Sequence, residues 1–547
     1  MGFCAATSIA AMQGSPVGPR GRWWLAPAFF ALALALVTSR SIWQPGYILQ
    51  VDTVWGPRAA PVVAGFYTPV AWLQELAVRL IGGDIVARLY VVGVLFICAW
   101  APMFLFRRRP FWVQAPVGAL GVLNPWTYDR VVEGQWGIAL AAGLLFLWLG
   151  AYEWLLVNPG WRRVAGLVAV GVVVAMFAVH FIGMIVVLTL FGTIMTGQTR
   201  RRSRYWWSLL ASAVLGVCLL YGVVLFFNSA GAQSSARVFG FNAADFAFFR
   251  STPDVHYGLG VNLLGLQGYW GERLHRFATA DGGFIWWPLG WLVLTGLALG
   301  GAFVRRGRAW LLVPAAIGLL ASASTALPGG VAIAVNASRV FPLVAGYREP
   351  EKWSALWLLA LVVLIGELLT WLVIRSRDTV GHVLAAVVCV ALLLPSGLTA
   401  VRGLPTTLTP VVYPADWTSA AEYLSSHGSD ATPVAVLPWH RYVILPFAGS
   451  RTTQNPASVV FPGHLIESTD PEIPNGTPET PGMEDIGTAA LAASTSTCEL
   501  AAALRAHGIK RVVVEPLLEG PTNSDRLLAC GFRLDFGMPG RVVVLGD

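Results

Sequence analysis

Lysine is nearly missing from this sequence: of 37 basic residues only Lys352 and Lys510 are not arginine. The bias reads as coding composition, so the net charge of +8 carries no nucleic-acid signal and no nucleic-acid partner is expected. Charge of either sign is scarce at 12%, against 56% hydrophobic residues and a mean hydropathy of +0.64, which excludes a soluble multidomain chain. The eight histidines are scattered, with no pair at metal spacing. Six cysteines also lack metal-ligand spacing. Cys4, Cys98, Cys218 and Cys389 fall in a tail or in apolar runs and read as inert packing, whereas Cys498 and Cys530 share a polar segment where a disulfide is expected. There is no phosphate-cradling Walker loop, no dinucleotide glycine fingerprint and no nucleophile elbow, which removes the support for kinase, pump ATPase and oxidoreductase readings. No solenoid-type repeat is present.

What the chain does have is long apolar runs punctuated by arginine. Clusters recur at Arg107-Arg108-Arg109, Arg162-Arg163, Arg200 to Arg204, Arg305 to Arg308 and Arg375 to Arg377, each at the end of an apolar stretch. Placing all of them on the cytoplasmic side predicts about eleven transmembrane helices at 23–37, 85–106, 111–126, 136–157, 164–179, 182–197, 205–228, 284–303, 309–327, 353–374 and 380–400. The split of 164–197 near His180 follows from basic clusters at both of its ends; His180 itself reads as a packed residue. Residues 1–22 form a cytoplasmic tail, the N-terminus is inside, and the C-terminus is outside. The expected location is the plasma membrane.

The acidic residues lie on the other side. Of 14 before residue 401, only Glu153, Glu367 and Asp378 fall outside the predicted outer loops. A concentration that topology does not require points to a polar working surface on the outer face. Within the membrane domain 23–400, the long outer loops are 38–83, 228–283 and 328–352, a length usually associated with function. The first includes residues 67–81, with apolar side chains at helical spacing that predict an interfacial helix. From 401 to 547 hydropathy drops, and helix-like and strand-like runs alternate. The fold class is therefore an all-α polytopic membrane domain followed by a small α/β extracytoplasmic domain.

Two stretches concentrate candidate chemistry. In the first loop, Trp43 to Arg58 carries Asp52 in an otherwise uncharged run of Trp, Tyr, Pro and Gly, where a carboxylate is costly unless used or paired. Asp52 is read as a carboxylate that does chemistry; the structural alternatives are a helix cap or a pair with Arg58. The second is Asn124-Pro125-Trp126-Thr127-Tyr128-Asp129-Arg130-Val131-Val132-Glu133-Gly134-Gln135, matched by Tyr347-Arg348-Glu349-Pro350-Glu351-Lys352-Trp353 before the tenth span. Pro350 suits the first turn of that helix, so its amides together with Arg348 and Lys352 suit a lipid phosphate. Snorkelling of these cations to headgroups is the structural alternative.

These stretches, with the span count and an outer C-terminal domain, resemble the GT-C superfamily of membrane glycosyltransferases, which use polyprenyl-phosphate-linked sugars. The likeness covers roughly residues 20–400 and departs at Asp52, which Thr53 follows where the family often has a second acid. It implies an inverting transfer to a glycan or glycolipid acceptor, with Asp52 as general base and Asp129 as a second catalytic carboxylate. Arg348, Lys352 and Arg130 would bind the donor phosphate. Glu133, Trp55, Tyr128, Gln135 and His256 would contact sugar or acceptor, and Asp129 or Glu133 could instead hold a divalent ion; no cofactor is otherwise implied. The competing readings are a lipid-linked glycan transporter, for which Glu153 and Glu367 are the main intramembrane acids, and a membrane-anchored envelope-assembly protein.

Overall fold

A computed structural model of the chain describes residues 25–61, 68–197, 202–227, 241–253, 257–274, 286–375, 400–427, 432–449, 451–470, 472–476, 483–491, 498–516, 523–538 and 541–547, with four isolated positions between 381 and 397. The chain divides into two compact units. One comprises Met1–Arg40, Tyr90–Asn228 and Phe246–Thr406; the other comprises Ser41–Leu89, Ser229–Asp245 and Thr407–Asp547.

The first unit is helical. Its helices are α1 (Leu25–Thr38), α2 (Gly83–Leu105, whose first turns belong to the second unit), α3 (Phe111–Val122), α4 (Pro125–Glu133), α5 (Trp136–Val157), α6 (Trp161–Phe177), α7 (Phe181–Gly197), α8 (Arg202–Phe227), α9 (Gly258–Leu264), α10 (Trp286–Val304), α11 (Leu312–Ala323), α12 (Gly330–Val340) and α13 (Ser354–Arg375). Among the described residues, four helical stretches are long and apolar enough to cross a membrane: Gly83–Leu105, Trp136–Val157, Arg306–Ala326 and Pro350–Arg375. Six shorter apolar helices of 10–17 residues accompany them. The eleventh expected span, 380–400, lies almost wholly outside the described residues. One element was not foreseen: α12 occupies part of the stretch read as the outer loop 328–352.

Apolar content explains where α13 sits. Its residues from Ser354 to Gly366 are all buried, and it packs against α10, α11 and α3. Close approach depends on missing side chains, since helices in lipid associate by packing rather than by hydrophobic expulsion. A Cβ on Gly318 of α11 would sit 2.6 Å from the carbonyl oxygen of Trp353, and one on Gly301 of α10 would overlap the carbonyl of Leu364. Near the far end of α13, Glu367 takes Arg308 Nη1 at 2.8 Å and Arg305 Nε at 2.9 Å. Arg308 also reaches both oxygens of Glu153 at 2.6 Å. Both intramembrane acids of the transporter reading are thus held in ion pairs.

The run 164–197 is two helices. Ala178 leaves helical geometry at φ −152° and ψ 100°, and α7 restarts at Phe181. The turn between them carries His180.

The second unit is built on a five-stranded sheet in the order β4-β1-β5-β7-β6. Its strands are β1 (Pro433–Leu437), β4 (His464–Ile466), β5 (Arg511–Val514), β6 (Arg533–Phe536) and β7 (Val543–Gly546); β2 (Tyr442–Ile444) and β3 (Thr452–Gln454) form a separate antiparallel pair. β4, β1 and β5 run parallel, with Val434 opposite Arg511 and Pro433 opposite His464, while β7 and β6 return antiparallel. Side-chain alternation sends Val434, Val436, Val513 and Val544 to one face with Trp417 and Phe461, and Ala435, Leu437, Val512 and Val514 to the other with Leu500, Leu504 and Leu527. Helix α14 (Ala415–Ser426) covers the first face; α16 (Glu484–Leu491), α17 (Glu499–Ala506) and α18 (Asn523–Ala529) cover the second, with the short α15 (Ala457–Val460) beside the first. The sulfurs of Cys498 and Cys530 are bonded, with their Cα atoms 5.5 Å apart, tying the start of α17 to the end of α18. Helix Thr68–Ile81, in the predicted interfacial position, leaves Trp72, Leu73, Leu76 and Leu80 exposed along one side.

Candidate functional site

The loop bearing Asp52 folds within the second unit. Tyr47 and Val411 exchange backbone hydrogen bonds of 2.8 and 2.9 Å, and Leu49 pairs with Val54 across a tight turn closed by Gln50 N–H to Thr53 O at 2.8 Å. Gln454 N–H donates to Gln50 O at 3.0 Å, so this small hairpin continues the β2–β3 pair. Asp52 stands at its tip, partly exposed, with the Tyr442 hydroxyl donating to Oδ1 at 3.4 Å. It caps no helix. Trp55 is buried beneath the hairpin, its carbonyl accepting from Tyr413 Oη at 2.8 Å.

The other candidates, except His256, gather in the first unit; His256 lies outside the described residues. Their centre is α4. Asn124 caps it by accepting the Thr127 N–H at 2.9 Å, Pro125 supplies the first turn, and Gly134 at φ 91° ends it. Polar residues make up much of this helix, yet every one of its residues is buried. Burial of that kind requires partners, and the 347–353 segment supplies them.

Arg130 is the hub. Its Nη2 meets Glu351 Oε1 at 2.6 Å and its Nη1 meets Glu349 Oε2 at 3.2 Å and the Gln135 amide oxygen. The guanidinium also lies 4.3 Å from the Tyr269 ring centroid and 5.4 Å from that of Trp126. Trp126 Nε1 donates to Glu351 O at 3.1 Å, and Gln135 Nε2 donates to Glu349 Oε2 at 3.2 Å. The sequence reading placed Arg130 on a donor phosphate and Gln135 on a sugar. In the structure the guanidinium Nη atoms and both ends of the amide are engaged within the protein.

Lys352 lies 3.3 Å from Glu349 Oε1 and, on its other side, 3.4 Å from Nε2 of His180. Arg348 is partly exposed and lies over the ring of Phe249 at 4.5 Å. Tyr347 fastens this segment to the α6–α7 turn: its hydroxyl donates to His180 O at 2.8 Å and accepts the Gly183 N–H at 3.2 Å. Pro350 begins a short 3-10 turn that runs into α13, the place anticipated for it.

The cluster is acid-rich. Asp129, Glu133, Glu272, Glu349 and Glu351 are all buried, against Arg130, Lys352 and the partly exposed Arg348. Glu349 is held well below the usual carboxylate range by Lys352, Arg130 and Arg348, which outweigh its burial. Burial pushes Glu272 up to about 7 even though the Gly268 and Tyr269 amides donate to it at 2.9 and 3.3 Å. Asp129 is raised well above its ordinary value, first by burial and then by Glu272. Asp129 Oδ1, Glu351 Oε2, Arg130 Nε and His180 Nδ1 are buried with no hydrogen-bond partner among the described residues. Tyr128 and Glu133 are buried on the same helix.

Sequence reasoning missed Glu272, Tyr347 and His180 as members of this cluster. Glu272 had been noted only as one acid of a long loop; its capture of two amides of the Gly268–Tyr269 turn depends on the positive φ of 101° at Gly268. For His180 the signal was its position at the forced break between two apolar runs. The described residues contain no group of three or more His, Cys, Asp or Glu side chains arranged to hold a metal ion.

No family model and no curated protein matches this chain. Its fold is similar to that of the arabinofuranosyltransferase AftD from Mycobacteria, at 16% identity and a TM-score of 0.58 over 96% of this chain and 40% of AftD. A mutant of AftD matches equally, at 14% identity and 0.58 over 97% of this chain and 42% of that one. The chain thus spans about two-fifths of AftD's length. ArnT from Cupriavidus metallidurans, solved bound to undecaprenyl phosphate, aligns over 96% of this chain and 98% of its own at 14% identity, but its TM-score of 0.39 is too low for a shared fold to be argued from it. The expected resemblance to membrane glycosyltransferases is met, at the level of fold, by AftD.

Proposed function

We propose that this chain is an integral membrane glycosyltransferase that moves a sugar from a polyprenyl-phosphate donor to a cell-envelope glycan or glycolipid. The observation that carries the reading is the segment Arg348–Lys352, a ledge bearing Arg348 and Lys352 at the head of a helix long and apolar enough to cross a membrane, fixed by the buried Arg130–Glu349–Glu351 network. The fold likeness to a glycosyl-transferring enzyme supports it. A ledge of this kind suits the charge that grows on a lipid phosphate as its sugar departs.

In this reading Lys352 and Arg348 bind the donor phosphate. Arg130 and Gln135 change role: with their polar atoms committed to Glu349 and Glu351, they position the ledge. Asp129, kept protonated by its surroundings, donates a hydrogen bond to a sugar hydroxyl, and Glu133, Tyr128, Trp55 and His256 remain candidates for sugar or acceptor contact. Asp52 accepts the proton of the acceptor hydroxyl, giving inversion at the anomeric carbon. The outer orientation of the second unit belongs to this proposal.

The transporter reading draws no comparable support, because Glu153 and Glu367 are paired with Arg308. The test is mass spectrometry of lipid extracts from a deletion strain. Accumulation of a polyprenyl-phosphate sugar with truncation of a surface glycan supports the proposal; an unchanged lipid and glycan profile removes it.

A further inference from the structure

The imidazole of His180 is held in one orientation by groups that have no use for its second nitrogen. Tyr347 grips the turn through two backbone contacts, at His180 O and Gly183 N, and its ring packs against Trp353 with centroids 5.1 Å apart. Nε2 then faces the Lys352 ammonium at 3.4 Å. An ammonium can only donate, so Nε2 must be the acceptor and the ring proton sits on Nδ1. Burial together with the Lys352 charge, against the opposing pull of Glu349, holds the imidazole well below its ordinary value, in keeping with a ring that accepts at Nε2. The tautomer is therefore fixed by its surroundings, and the N–H so produced is buried with no acceptor among the described residues.

A buried N–H without an acceptor is destabilising and is seldom retained without a use. With the cations of Lys352, Arg130 and Arg348 near by, the acceptor best suited to this free donor is an anionic oxygen.

We infer that His180 Nδ1–H is a phosphate-binding donor to a lipid-linked ligand. The phosphate class follows from this donor and the cations around it; the lipid part rests on the function proposed above. His180 positions nothing through a third residue in this account, and touches the ligand itself.

Two amide substitutions separate the nitrogens. Asparagine places its N–H close to where imidazole Nδ1 lies, and glutamine places its N–H close to Nε2. Binding of farnesyl phosphate to the full-length protein in nanodiscs is measured for wild type, His180→Asn, His180→Gln and His180→Ala, each shown monodisperse by size exclusion. Farnesol reports the chain alone and inorganic phosphate the headgroup alone. The expected pattern is affinity within about threefold of wild type for His180→Asn, and a loss of roughly tenfold to hundredfold for His180→Gln and His180→Ala, the range for one hydrogen bond to a charged group. Farnesol binding should not change across the series.

Wild-type affinity in His180→Ala overturns the inference. Equal losses in the asparagine and glutamine variants also overturn it, since a packing role does not distinguish the two nitrogens. Inorganic phosphate binding as tightly as farnesyl phosphate, with the same variant pattern, upholds the donor and assigns it to free phosphate. The assay needs no sugar transfer, so a chain that binds with this pattern yet transfers nothing refutes the glycosyltransferase proposal and leaves the His180 inference standing.

Discussion

Arg130 and Glu351 meet at 2.6 Å where both side chains are no more than 2% exposed. A pair so placed gains little net stability over apolar neighbours, but loss of one member leaves the other charged and unsolvated. Arg130→Ala is therefore expected to cost about 3–5 kcal/mol, read as a lowered Tm and loss of monodisperse protein in detergent. The double variant Arg130→Met, Glu351→Met should recover much of that loss, although Glu349 keeps part of it. A single variant as stable as wild type would show that the pair is not structural.

Asp52 stands at the tip of a hairpin whose turn is closed by backbone bonds from Gln50 N–H to Thr53 O and from Trp55 N–H to Ile48 O, so an amide can replace its carboxylate with the turn retained. Asp52→Asn should fold and insert normally while sugar transfer falls about a hundredfold or more, the range for loss of a general base. Retained transfer would remove Asp52 from that role.

Acidity should stabilise the second unit. Glu467 is pushed up to about 7, mainly by burial, and Glu515 is raised well above its ordinary value by burial and by Glu467. A carboxyl whose folded value exceeds its unfolded one binds protons more tightly when folded, so stability is greatest at low pH and declines as pH rises from about 4.5 to 7. His440 acts in the same direction, because its bond to Glu472 raises it and its contribution is lost above its folded value. For Glu467, partly exposed, the decline is on the order of 2 kcal/mol. Unfolding of this unit followed by hydrogen exchange at pH 5 and pH 8 should show it, and Glu467→Gln should flatten the dependence. Greater stability at pH 8 would contradict the assignment.

How much of this was readable in the residues varied with the signal. The run Trp136–Val157 is apolar apart from Glu153 and has no proline, and its predicted bounds match the helix. Strands β1, β5 and β7 are visible as valine-rich runs, whereas β2, β3 and β4 are three residues each in a Pro/Thr/Gly-rich stretch and give no periodicity. The acid-rich character of the cluster was legible in α4 and the 347–353 segment. Its pairing was not: which carboxylate meets which cation depends on Glu349 and Glu351 facing Arg130 across more than 200 residues of sequence, and adjacency of that kind leaves no local trace.

The Cys498–Cys530 bond closes a loop with a sequence separation of 32. On the chain-entropy account, Cys498→Ser should lower the stability of the second unit by about 3–4 kcal/mol. Thiol alkylation followed by intact mass should find both cysteines blocked in unreduced protein. Free thiols at both positions in oxidised preparations would refute the bond.

The most direct measurement uses purified full-length protein with synthetic polyprenyl-phosphate pentose and hexose donors and a cell-envelope glycan extract as acceptor, following release of the polyprenyl phosphate together with labelling of the acceptor. The account predicts release by wild type with at least one donor, and its loss in Lys352→Ala with the fold retained. Release undiminished in Lys352→Ala, or sugar transfer from a nucleotide donor alone, would contradict it.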